Sequence, residues 1–124
     1  MAQADSQQEP SQILDQAMVA QLRDLADGSD ALLIEVLQTF TADSPQRIVD
    51  MRAALAAGDA DALHRGAHTL KGACGNLGLR RLEWACAQLD RQARSGDLEP
   101  CAQLLAAVEV AYAEGVGALE AETG

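Results

Sequence analysis

Apolar residues recur along the chain at the three- and four-residue spacing of amphipathic helices, and short polar or glycine-containing segments separate the stretches. Leu63, Ala67 and Leu70, for example, fall on one face of such a helix. No stretch alternates between apolar and polar residues as a half-buried strand does. The pattern predicts helices over about 12–28, 29–58, 59–78 and 79–95, and a last helix from about 97 towards the C-terminus.

Capping residues mark the predicted helix starts. Ser11, Ser29 and Asp59 each precede a periodic stretch, and their side chains can accept a hydrogen bond from an N–H group of the first turn. The Ser44–Pro45 pair interrupts the second stretch. Proline fits the first turn of a helix but removes a hydrogen bond from a helix interior, so the pair is compatible with either a new helix or a kinked continuation.

The connections between these helices are short, which sets successive helices antiparallel. The sequence therefore predicts an all-α fold, an up-and-down antiparallel four-helix bundle with an additional N-terminal helix. Of the 124 residues, 48% are hydrophobic and only 2% aromatic, a composition typical of packed helices. The polar residues 1–11 are predicted to be a flexible leader, and residues 12–122 a single domain.

Charge narrows the range of partners. A net charge of −10 disfavours binding to nucleic acid or to an anionic membrane surface. The N-terminal residues lack the features of a secretory signal, and no apolar run of about 20 residues is evident, so we expect a cytoplasmic protein with no membrane contact. The segment 64–94 is nevertheless rich in arginine and holds the only lysine, which suggests that it meets a phosphate or an acidic surface.

His68 is the candidate functional residue. At about 100° per residue it lies about 160° from Leu70, the centre of the apolar face, so it should face solvent. Gly72 and Gly75 fall within about 40° of it on the same exposed face. Glycine destabilises a helix interior, and we interpret the pair as clearance that lets another protein approach the imidazole. A helix end before Gly78 is the alternative reason for them.

Neighbouring residues extend this candidate site. Lys71, one turn from His68, could follow a phosphoryl group as charge builds on its oxygens. The reversal near Gly78 brings residues 88–90 opposite His68, so Gln88 or Asp90 could bind Nδ1 and leave Nε2 free as the nucleophile. His64 and His68 have the spacing of a zinc pair, but Arg65 would repel a cation and no third ligand is evident.

The segment Ala67–Gly78 (AHTLKGACGNLG) resembles the signature of histidine-containing phosphotransfer (HPt) domains. The resemblance implies that His68 is the phosphorylated residue, that Lys71 contacts the phosphoryl group, and that the glycines give a receiver domain access. Asp90 stands where the family often has Gln or Glu against the imidazole, and is shorter than Glu by a methylene. The residues expected to contact the partner are His64, Arg65, Gly72, Gly75 and Asn76.

The function that this resemblance implies is that of a phosphocarrier, not an enzyme. His68 would exchange a phosphoryl group with an aspartate of a receiver domain, in a response regulator or a hybrid sensor histidine kinase, without ATP. We expect a monomer with no cofactor of its own, the receiver domain supplying Mg²⁺. A helical adaptor with an incidental histidine is the alternative. A histidine kinase segment fits less well, because Thr69 replaces the acidic residue that follows the histidine in that family.

Overall fold

The chain folds as an all-helical protein in a computed structural model that describes residues 8–123. Most of the predicted leader, residues 1–7, therefore lies outside the described residues. The helices are α1 (Gln16–Leu25), α2 (Ala31–Ala56), α3 (Ala60–Gly75), α4 (Arg80–Arg94) and α5 (Cys101–Thr123).

Helices α2 to α5 form the bundle. Each packs against its two neighbours, with α2 closing the ring against α5, and α1 packs on α2. The stripes predicted from the sequence supply the core, because Leu33, Leu63, Leu70, Leu89 and Leu119 are all fully or almost fully buried. The predicted fold class, an up-and-down four-helix bundle with an additional N-terminal helix, is confirmed.

The N-terminal segment is tied to the turn between α3 and α4. Leu14 and Leu79 form an isolated antiparallel bridge, and the Asp15 N–H donates to the Gly78 carbonyl at 2.7 Å. Gly78 has a positive φ of 70°, and a Cβ there would lie 2.9 Å from the Cβ of Met18. Only glycine fits this turn, which fixes how α4 returns along α3.

The Asp59 cap is confirmed and the Ser11 cap is wrong. Asp59 accepts a hydrogen bond from the Ala62 N–H at 3.0 Å. The first helix begins later than predicted, and Asp15 is its cap, accepting from Ala17. The reason is tertiary: the Arg80 N–H donates to the Ile13 carbonyl, so the backbone between Ser11 and Asp15 pairs with the α3–α4 turn instead of coiling.

Two other details at the N-terminal side differ from the pattern. The N-cap position of α2 is Asp30, although the Ser29 hydroxyl accepts a hydrogen bond from the Ala31 N–H at 3.3 Å. Leu25, which continues the helical spacing of the apolar residues Met18 and Leu22, is 69% exposed. It is the last residue of α1, where the chain already turns away from the core towards Gly28.

Helix α2 continues through Pro45, so no new helix starts there. Phe40, Ile48 and Met51 are buried along one side of α2, whereas Pro45 is exposed on the other. A proline inside a helix costs about 3 kcal/mol, and burial of a single large apolar side chain contributes about 1.5–3 kcal/mol. The buried stripe on both sides of the proline therefore outweighs the lost hydrogen bond.

Helix α5 is long and apolar enough to cross a membrane by length and composition alone. In the bundle its residues Leu105, Val108 and Leu119 are buried, and it packs against α4 and α2. A single helix of this kind is weak evidence for a membrane span, because the core helix of a folded bundle passes the same test of length and composition.

Candidate functional site

His68 projects from the middle of α3 on the side away from the core. Its side chain is 59% exposed, while Leu63, Ala67 and Leu70 of the same helix are completely buried. The helical periodicity alone gave this orientation. The imidazole is therefore open to another molecule while its backbone is held by the bundle.

The imidazole is held from one side by α4. Oδ2 of Asp90 lies 3.2 Å from Nδ1 of His68, within hydrogen-bond distance. Gln88, the other candidate, is turned elsewhere: its Oε1 accepts from Arg91 at 3.5 Å. If Nδ1 carries the proton and donates it to Asp90, Nε2 keeps its lone pair. The short aspartate side chain thus reaches the ring despite lacking a methylene relative to Glu.

Asp90 is a buried carboxylate, with a side chain only 8% exposed. Its second oxygen, Oδ1, accepts a hydrogen bond from Nε of Arg94 at 3.0 Å. Burial alone would raise the pKa of Asp90, but the hydrogen bonds from Arg94 and His68 and their positive charge outweigh it, so the pKa is lowered. The carboxylate facing His68 is therefore ionised at neutral pH.

His64 and Arg65 lie one turn before His68 on α3. Nε2 of His64 is 3.2 Å from Asp61, and its Nδ1 is buried 3.3 Å from Oδ1 of Asp90 without making a hydrogen bond. Arg65 is 67% exposed and pairs with Asp61 at 3.0 Å. In the part of the chain that the structure describes, no group of His, Cys, Asp and Glu residues is arranged to hold a metal ion.

The surface beyond His68 towards the C-terminus of α3 is bare. A Cβ added to Gly72 would meet no atom within 4 Å, so this position opens directly to solvent. Gly75 is the last residue of α3 rather than an interior one, and a Cβ there would lie 3.4 Å from Oε2 of Glu83. The helix-end explanation therefore applies to Gly75, while Gly72 has no structural requirement for glycine.

Lys71 and Asn76 lie on the two flanks of this bare surface. Lys71 is half-buried, and no ion pair found within residues 8–123 includes it, so its ammonium group is not committed to a carboxylate. Asn76 is exposed just beyond α3 and lines a groove of about 640 Å³ between α2 and α3. The apolar part of that groove comes from Val36, Phe40, Ala42, Ala73 and Leu77.

Two residues that contact the site were not singled out from the sequence. Arg94 binds the carboxylate that faces His68, and Glu83 flanks Gly75. Arg94 follows Asp90 by four positions on a predicted helix, a spacing that favours an ion pair, so this contact could have been found. The position of Glu83 depends on how closely α4 packs against the end of α3, which spacing does not reveal.

Comparisons with known proteins agree with this geometry. A family model described as "Hpt domain" matches residues 35–122. The histidine-containing phosphotransfer protein B of Pseudomonas aeruginosa is 32% identical and superposes with a TM-score of 0.82, covering 92% of this chain and 96% of that one. A histidine-containing phosphotransfer protein of Medicago truncatula is 25% identical, with a TM-score of 0.74 and coverage of 89% and 80%. Among curated proteins, none matches this chain.

Proposed function

Because this chain belongs to the Hpt domain family, we propose that it is a phosphorelay intermediate that accepts a phosphoryl group on His68 from an aspartate of one receiver domain and passes it to another. Members of this family are phosphocarriers without a nucleotide site. The observation that carries the proposal is the exposed imidazole whose Nδ1 is engaged by a buried, ionised Asp90, which leaves Nε2 free towards solvent.

The chemical step is an in-line displacement. The Nε2 lone pair of His68 attacks phosphorus, an N–P bond forms, and the bond from phosphorus to the receiver's aspartyl oxygen breaks, its electron pair returning to that carboxylate. The ring now carries a positive charge, which Asp90 stabilises through Nδ1–H. The receiver domain supplies Mg²⁺ and its acidic pocket, while Lys71 is near enough along α3 to balance charge on the phosphoryl oxygens.

The partner is a receiver domain of a response regulator or of a hybrid sensor histidine kinase. It would lie over the bare surface at Gly72 and Gly75, with His64, Arg65 and Asn76 at its edges. The exposure of Gly72 and the open groove beside Asn76 support this arrangement. As a carrier between such domains, the protein would act as a monomer in the cytoplasm, and the exchange would run in either direction according to which partner is loaded.

The test is phosphotransfer from a receiver domain loaded with labelled phosphate in the presence of Mg²⁺. The wild-type chain should take up label as an adduct that is labile in acid and stable in alkali. His68→Gln should take up none, while His64→Gln, a matched change one turn away, should still form the adduct. If the His68→Gln variant still took up label, a residue other than His68 would be the phosphorylated one. An absence of label on the wild type with several receivers would favour the helical adaptor instead.

A further inference from the structure

We propose that Arg94 is a positioning residue for phosphotransfer: by holding Oδ1 of Asp90, it keeps Oδ2 on Nδ1 of His68 and so leaves Nε2 as the nucleophile. The inference rests on the proposed function, because a fixed Nε2 matters only if that atom receives the phosphoryl group. It concerns a residue that has no contact with the imidazole itself.

The two oxygens of Asp90 have separate partners. Oδ2 faces His68 at 3.2 Å, and Oδ1 receives the Nε–H of Arg94 at 3.0 Å. A carboxylate bound at one oxygen only can rotate about its Cβ–Cγ bond, which would carry Oδ2 away from the imidazole. The second hydrogen bond removes that freedom, and it comes from the next turn of the same helix, so α4 itself sets the orientation.

A competitor for the carboxylate lies on α3. Nδ1 of His64 is buried 3.3 Å from Oδ1 of Asp90 and makes no hydrogen bond. Within residues 8–123, the charged or titratable groups facing Asp90 are thus His64 and His68 from α3 and Arg94 from α4. With Arg94 donating to Oδ1, the carboxylate is held in an orientation in which Nδ1 of His64 makes no hydrogen bond with it. Without Arg94, the carboxylate can turn towards His64 and release His68.

Release of His68 has a defined chemical consequence. An imidazole in water prefers its proton on Nε2, the tautomer in which that nitrogen cannot attack phosphorus. A carboxylate fixed at Nδ1 reverses this preference. The side chain of Arg94 is 54% exposed at its site beside Asp90, so it could also touch a partner, and the experiment must separate the two roles.

The first measurement uses the isolated protein and no phosphodonor. Long-range ¹H–¹⁵N spectra of the neutral form of His68 report which nitrogen carries the proton. We expect the Nδ1–H form in the wild type and predominantly the Nε2–H form in Arg94→Met. Arg94→Lys should resemble the wild type, because the lysine ammonium group can donate the single hydrogen bond that Arg94 makes to Asp90. Arg52→Met is the control, since Arg52 pairs with Glu109 on another face.

The second measurement is the transfer rate from a phosphorylated receiver domain. Loss of a residue that orients a reactive histidine through its partner should slow transfer about 10-fold, by analogy with such residues at metal sites. Arg94→Lys should stay within about 3-fold of the wild type, because only one of its donors is needed. Arg52→Met should transfer at the wild-type rate, and circular dichroism should show each variant to be folded.

Each outcome bears on a distinct claim. A slower Arg94→Met variant with an unchanged His68 tautomer would make Arg94 a partner contact and overturn the inference. An unchanged tautomer with an unchanged rate would overturn it as well. A third outcome is that the tautomer of His68 changes in Arg94→Met as expected while the wild-type protein takes no phosphoryl group from any receiver domain. This result would support the positioning role of Arg94 and overturn the proposed function.

Discussion

The carboxylate of Asp90 links the chemistry of the site to the stability of the fold. It is buried, yet its pKa is lowered because Arg94 and His68 more than compensate for desolvation. A group whose pKa is lower in the folded than in the unfolded state stabilises the fold above its unfolded pKa. That contribution is lost as the pH falls through the folded value.

Asp90→Asn should therefore destabilise the protein in a pH-dependent way. At neutral pH we expect a loss of about 1–2 kcal/mol, because two charge-assisted hydrogen bonds become weaker ones. The difference from the wild type should begin to shrink as the pH falls below about 4, where Asp90 of the unfolded chain becomes protonated, and should disappear only below the lower pKa that this carboxylate has in the folded protein. Urea unfolding at a series of pH values measures both effects.

Asp43→Asn is the matched control for that series. Asp43 is 68% exposed and pairs with Arg47 one turn away, and surface pairs of this kind contribute little to stability. Its unfolding free energy should stay close to that of the wild type throughout. A difference between wild type and Asp90→Asn that stayed constant down to about pH 2 would show that the charge of Asp90 is not what stabilises the fold.

At this scale, helical geometry was sufficient to predict which side chains face outwards. The exposure of His68 and the open position of Gly72 follow from 100° per residue. The turn at Gly78 predicted that residues 88–90 lie opposite His68. It did not distinguish Gln88 from Asp90 as the partner of Nδ1. The choice between them depends on side-chain rotamers, which spacing does not reveal, although the four-residue spacing of Asp90 and Arg94 was a signal in favour of Asp90.

At the scale of the element, α3 carries glycines for different reasons. A Cβ on Gly66 would lie 2.6 Å from Cγ of Met51, so close packing of α3 against α2 requires glycine there. Gly72 has no such neighbour and lies inside the helix with ordinary helical geometry. A residue that destabilises its helix without a packing reason points to a requirement outside the fold, which we propose is access to His68.

Substitution of Gly72 should separate stability from function. Gly72→Ala should stabilise the protein by about 0.5–1 kcal/mol, because alanine favours the helix and its methyl group enters open space. Gly72→Leu should leave the fold intact but slow transfer about 100-fold, since a displacement of the partner by about 1 Å can have that effect. Urea unfolding and transfer kinetics from a loaded receiver give the two readouts.

Gly117→Ala and Gly117→Leu are the matched controls, since Gly117 lies in α5 with no atom within 4 Å of its Cβ position. Gly117→Ala should stabilise to a similar degree, and neither variant should alter transfer. Gly75 is less suited to this comparison, because Glu83 lies 3.4 Å from its Cβ position. Equal transfer rates for Gly72→Leu and the wild type would refute the clearance interpretation.

Helix boundaries show where local signals were sufficient and where they were not. Asp59 caps α3 as predicted, because its side chain accepts the hydrogen bond from the Ala62 N–H in the first turn. The Ser11 cap failed because Ile13 and Leu14 pair with the α3–α4 turn, a contact between segments far apart in sequence. Pro45 lies inside α2 because the buried residues around it decide the outcome. Local signals such as caps indicate where a helix can begin or end, and tertiary contacts decide which of these positions is used.

At the scale of the molecule, the bundle and its N-terminal helix act as one body. The family match spans residues 35–122, which excludes α1. Yet Val19 is completely buried and Asp15 is bonded to the turn at Gly78. Arg23 of α1 also binds Glu122 near the end of α5. The segment before the matched region therefore closes one end of the bundle and supports the turn that positions Asp90.

Charge is distributed unevenly over this body. The net charge is −10, but α3 and α4 carry a basic patch formed by Arg65, Lys71 and Arg94. Arg65 pairs with Asp61 and Arg94 with Asp90, whereas Lys71 pairs with no carboxylate of residues 8–123. An acidic receiver domain would be repelled by the whole molecule and attracted by the patch. Which effect dominates depends on the Debye length, which is about 30 Å at 0.01 M salt and about 8 Å at 0.15 M.

We therefore predict that the association rate with a negatively charged receiver domain passes through a maximum as salt increases. Between about 0.01 and 0.1 M, screening removes the long-range repulsion and the rate should rise; towards 1 M, where the Debye length is about 3 Å, attraction by the patch is screened too and the rate should fall. Stopped-flow mixing of the two proteins at a series of salt concentrations measures the association rate.

Arg65→Gln and Arg52→Gln change the net charge equally, but only Arg65 belongs to the basic patch. Only Arg65→Gln should therefore reduce the fall of the association rate at high salt. A rate that rises with salt throughout would mean that the patch exerts no attraction, and identical curves for the two variants would mean that net charge alone governs the encounter.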